Sequence, residues 1–66
     1  MEFTKFFDMV KGIGEYEVHD SDSLNIDDYD FFYPPHFPDK YIGTQIKEVF
    51  LKTVGNGWVI AVVYLK

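Results

Sequence analysis

The chain contains neither cysteine nor arginine. Without cysteine it has no disulfide, and its two scattered histidines do not supply a structural zinc site. The staples on which many small domains depend are therefore missing. Without arginine it has no planar bidentate clamp for phosphate. The longest apolar run, Trp58 to Leu65, is far short of the ~20 residues that cross a bilayer as a helix. The opening "MEFTKFFDMVKG" carries acids among its apolar residues and no small-residue cleavage site, so a signal peptide is not expected. These absences point to a protein outside the membrane, expected in the cytoplasm (the host's, if the source is viral).

Lysine is also absent from a long stretch. Residues 12–39 hold Glu15, Glu17, Asp20, Asp22, Asp27, Asp28, Asp30 and Asp39 against no base, a charge of −8, whereas the remainder totals +3 and the whole chain −5. An acidic middle of this kind repels nucleic acid, so direct DNA or RNA binding is not expected.

What the chain does have is aromatic mass: seven Phe, five Tyr and one Trp in 66 residues. Each such side chain buries on the order of 150–250 Å². A compact core is therefore feasible in a single domain, although a chain this short buries only roughly 60% of its unfolded surface.

Phe3, Phe6, Phe7 and Val10 recur at helical spacing, and Gly12 offers a stop, which predicts a helix over about residues 2–11. "EYEVHD" alternates and predicts a half-buried strand over about 14–19. Residues 20–40 form an acidic, aromatic and proline-rich loop. Within it "SLNIDDYDFF" would make at most a short helical turn capped by Ser23, and "YPPHFP" is expected to be extended. The last third reads as a hairpin over about 44–65, with Asn56-Gly57 as a type I′ turn and "WVIAVVYL" as a central strand. Its partner "IKEVFLKTV" also has helical spacing, but β-propensity favours a strand. The expected fold class is α+β: one N-terminal helix packed on a three-stranded antiparallel sheet ending in a C-terminal β-hairpin.

The acidic stretch invites a metal reading. Asp20 and Asp22 occupy positions 1 and 3 of a calcium loop, but position 5 is Leu24, position 6 is Asn25 and position 12 is Phe31. An EF-hand site is thereby excluded, and neither metal nor cofactor is expected. No spacing sets His19 or His36 beside a hydroxyl nucleophile, and so short a chain has little room for a deep cleft, so no enzymatic activity is expected. "PHFP" at 35–38 fits PxxP but lacks a neighbouring arginine, and reads as a rigid loop whose aromatics cover the core.

Two readings of the acidity are left. It solubilises a small aromatic protein, or it is a docking surface for a basic partner. The charge is segregated, Glu15 and Glu17 stand on one strand face, and Tyr29, Phe31 and Phe32 interleave as apolar anchors. The candidate contact residues are Glu15, Glu17, Asp20, Asp22, Asp27, Asp28, Tyr29, Asp30, Phe31 and Phe32. In size, charge and aromatic content the chain resembles the small acidic inhibitors, DNA mimics among them, that bacteriophages and mobile elements encode against host enzymes. That resemblance implies a non-catalytic inhibitor or modulator of a basic, nucleic-acid-handling protein. It involves no motif and transfers no family's residues. The alternative is a structural or assembly module that forms a homodimer through its sheet, with the acidic loop serving solubility.

Overall fold

The structure, a computed structural model, describes residues 1–20 and 29–66. Helix α1 (Phe3–Met9) leads into strand β1 (Glu15–His19). Strand β2 (Asp30–Phe32), a 3₁₀ turn (Asp39–Tyr41) and the hairpin of β3 (Ile46–Val54) and β4 (Trp58–Leu65) follow. Among the described residues no helix is long and apolar enough to cross a membrane.

The α+β class holds, but the sheet differs from the expected one. It has four strands in the order β2-β1-β4-β3, and it is mixed. β1 runs antiparallel to β2 and parallel to β4, while β3 and β4 pair antiparallel. The fourth strand is three residues long and lies inside the segment expected to be a loop. The helical turn proposed there begins at Ser23, outside the described residues, and its Asp30–Phe32 end is strand rather than helix. "YPPHFP" is not extended throughout. It turns at a cis Pro34–Pro35 bond, closed by the His36 N–H donating to the Tyr33 carbonyl at 3.1 Å. The hairpin was legible, but its turn is different. Val54 pairs with Trp58, and positive φ falls on Gly55 and Gly57 rather than on Asn56. Glycine takes those angles without a Cβ clash, so a longer loop replaces the type I′ turn.

The core lies on one face of the sheet. Register places Tyr16 beside Ala61 and Val18 beside Val63, with Phe32 on the other flank of Tyr16. Phe32 stacks on Tyr16 with ring centroids 5.0 Å apart. The helix brings Phe3 down onto this layer, where it meets Tyr16, Phe32, Phe37 and Tyr41 at 5.1–6.1 Å between ring centroids. A seven-residue helix has little stability of its own, so this aromatic packing holds it. Backbone bonds pin its N-terminal end: the Phe3 N–H donates to the Thr44 carbonyl, and the Met1 carbonyl accepts from the Ile46 N–H. Val10 then turns extended and ends the helix, and Gly12 takes φ 87° just beyond. Phe37 packs against the core, as expected of the proline segment.

Candidate functional site

A single short helix covers one face of a four-stranded sheet. The opposite face is left without a layer among the described residues, and strand alternation decides what stands on it. Tyr16 and Val18 point into the core, so Glu15, Glu17 and His19 point out. Cross-strand register then builds rows. Phe31, Glu17, Val62 and Phe50 line up across all four strands. His19, Tyr64 and Glu48 form the next row, and Glu15, Ile60 and Lys52 the one on the other side.

Aromatic contacts form a belt along the His19 side of this face, with a separate ring pair on β2. His19 stacks between Tyr29 and Tyr64, with centroids 5.1 Å and 4.7 Å away. Tyr64 meets Phe50 edge-on at 5.9 Å, and Phe31 meets Tyr33 in the same manner at 5.9 Å. Phe31 and Phe50 remain 56% and 55% exposed, and Trp58 47%. Exposed apolar residues scattered singly are ordinary on a protein surface, so the informative feature is the run of rings in mutual contact. A cleft of about 400 Å³ indents the belt at its His19 end, lined by His19, Asp20, Lys47, Glu48, Phe50 and Tyr64.

Two of the carboxylates on this face have defined partners. The Lys52 ammonium stands 3.5 Å from Glu17, whose side chain is largely enclosed, and the Trp58 indole N–H points at Glu15 from 3.5 Å. Trp58 lies flat over Gly14, because a Cβ there would come within 2.9 Å of the indole.

The candidate contact residues therefore separate. Glu15, Glu17, Tyr29 and Phe31 share the open face, and Asp20 is exposed at its margin. Phe32 belongs to the core at 4% exposure, because the residue after an outward Phe31 must point inward. Asp30 aligns with Val18 on the core-facing side at the sheet's edge. There its carboxylate pairs with the Lys40 ammonium and accepts the Tyr41 hydroxyl at 2.8 Å. The Lys40 hydrogen bond, and then that of Tyr41, holds the Asp30 carboxyl below its usual range. Burial first, and the Asp30 carboxylate second, push the Tyr41 phenol well above its usual range. Asp22, Asp27 and Asp28 lie outside the described residues. Among the described residues no group of three or more His, Asp or Glu side chains is placed to hold a metal ion.

Sequence reasoning missed Phe50, Tyr64 and the stacking of His19 as parts of one surface. The available signal was β4, apolar on both faces, in a chain whose sequence pattern predicts one short helix to cover them. Compared with known proteins, the chain matches no family model, no curated protein and no solved structure.

Proposed function

We propose that this is a non-catalytic binding protein that docks a basic partner through the open sheet face. In this reading it is an inhibitor or modulator of a nucleic-acid-handling enzyme, of the kind phages and mobile elements encode. The observation that carries the reading is the setting of Glu15 and Glu17 among Tyr29, Phe31, Trp58 and Tyr64, on the face that no element covers among the described residues. Strand β1 then leads directly into the rest of the lysine-free acidic stretch. Rigid aromatics supply desolvated contact area at small entropic cost, and the carboxylates steer a cationic surface toward them. Stacked rings beside carboxylates also offer what a nucleic-acid groove takes from bases and phosphates.

Affinity capture from the native host, followed by binding measurements across a salt series, tests the proposal. The captured protein should be basic, should release nucleic acid when it binds this chain, and should bind less tightly as salt rises. Phe31→Ala should cost on the order of 2 kcal/mol of binding, and Glu15→Gln with Glu17→Gln should slow association. Binding that ignores both salt and these substitutions would sink the proposal.

A further inference from the structure

The sheet has two edges, and β3 is the longer, running nine residues from Ile46 to Val54. Its start is covered: Glu2 bridges Gln45, and the Ile46 N–H donates to the Met1 carbonyl at 2.7 Å. Beyond Lys47 nothing among the described residues pairs with its outer side. The backbone groups that face outward follow from one bond. The Val59 carbonyl accepts from the Gly14 N–H at 2.8 Å, so Val59, Ala61 and Val63 direct their polar groups toward β1. Their partners across the hairpin, Thr53, Leu51 and Val49, must then direct theirs away from β4. Those N–H and C=O groups lie in a row along an edge whose apolar side chains are bare on both faces. Phe50 is 55% exposed on the open face and Leu51 59% on the core-facing side. A long apolar edge of this kind is a template for another strand.

We propose that the strand it receives is β3 of a second copy, paired antiparallel about a two-fold axis at Phe50. Strand alternation permits only registers that keep each side chain on its own face. Centring on Val49 would set Glu48 against Phe50 of the other copy, and centring on Leu51 would set Phe50 against Lys52. Centring on Phe50 sets Glu48 opposite Lys52 twice on the open face. It also sets Val49 opposite Leu51 twice on the core-facing side, and Phe50 opposite itself. Val49 and Leu51 are the residues whose polar groups face outward, so they exchange the new backbone hydrogen bonds. The segment "EVFLK", residues 48–52, is thus self-complementary in charge, in apolar character and in hydrogen-bond direction. Lys52, which stands 3.5 Å from Glu17 with its side chain 51% exposed, then sits between that carboxylate and Glu48 of the second copy. The axis is perpendicular to the sheet, so both open faces lie on the same side of one continuous eight-stranded sheet. The dimer uses the edge and leaves the docking face free, so it stands independently of the proposed partner.

Sedimentation equilibrium of the intact chain over a wide concentration range, with three accompanying measurements, tests the proposal. The wild type should double in mass as concentration rises. Leu51→Pro removes an N–H that faces outward, so it should keep the circular dichroism of the wild type and abolish the doubling. Phe50→Cys introduces the sole cysteine at the axis and should form an intermolecular disulfide on mild oxidation. In wild-type hydrogen exchange, the Val49 and Leu51 amides should gain protection as the dimer forms. A chain that stays monomeric at every concentration, including one that takes up only a foreign strand, overturns the proposal. So does a dimer in which Phe50→Cys does not cross-link and the Val49 and Leu51 amides exchange freely.

Discussion

Truncating Phe3 to alanine should nearly unfold this protein, and the structure sets the size of the effect. The side chain is fully buried and meets four other rings, those of Tyr16, Phe32, Phe37 and Tyr41. Removing a buried phenylalanine costs about 3–5 kcal/mol, because the neighbours collapse only partly into the cavity. A chain of 66 residues has a total stability of about 3–10 kcal/mol at the usual per-residue value. The substitution therefore removes half or more of the total in most of that range. At about 4–8 °C per kcal/mol for a domain of this size, the midpoint of thermal unfolding should fall by about 12 °C or more. Urea titration followed by far-ultraviolet circular dichroism measures the loss directly, at a protein concentration where the chain is monomeric. Phe3→Leu retains most of the volume and should lose about 1–2 kcal/mol, separating ring-ring geometry from simple filling. Met9→Ala is the control on the same helix. That side chain is 69% exposed, and its loss should lie within about 0.5 kcal/mol. A Phe3→Ala variant that loses less than about 1 kcal/mol would refute the placement of the core under the helix's first turn.

Two further perturbations bear on the core-facing aromatics and on the open face. Burial raises the Tyr16 phenol, and burial with the Asp30 carboxylate raises that of Tyr41. The folded state therefore holds these protons above the ordinary tyrosine pKa of about 10. The resulting stability is present below about pH 10 and is lost as pH climbs toward the raised values, so alkali should unfold the protein. Tyrosinate absorbance should show Tyr16→Phe and Tyr41→Phe each removing a late-titrating phenol, and a titration curve unchanged in its late part by both would contradict the burial. Gly14→Ala sets a methyl group 2.9 Å from the Trp58 indole and should swing the ring outward. The cost is about 1 kcal/mol, because the ring is half-exposed and can give way. Trp58 is the sole tryptophan, so its emission should shift to the red, and an unchanged spectrum would refute the contact.

Short-range patterns were enough to read much of the secondary structure. The spacing of Phe3, Phe6 and Phe7 produced the helix, although it ends at Met9 because Val10 turns extended. Alternation over Glu15–His19 produced β1, and two β-rich runs about Gly55-Asn56-Gly57 produced the hairpin with β4 as a central strand. Strand β2 was not legible. Three residues carry too little periodicity to stand out, and prolines and aspartates surround them. The parallel pairing of β1 with β4 was equally hidden, since no local signal states which side of a hairpin another strand will join.

The sequence by itself determined the α+β class, the outward direction of Glu15 and Glu17, and the segregation of negative charge into residues 12–39. Those properties depend on neighbours one to four positions away, or on composition alone. Only the tertiary structure decided which aromatics form a core and which form a surface. Phe31 and Phe32 are adjacent and chemically identical, yet one is exposed and the other stacks on Tyr16. The choice follows from which face of the sheet α1 covers, a contact between elements far apart in the chain. Among the described residues the same docking leaves the opposite face open and gathers Tyr29, Phe31, Phe50, Trp58 and Tyr64 from three strands and a loop onto it. A helix that short cannot cover two faces, so among the described residues the second face stays without a layer.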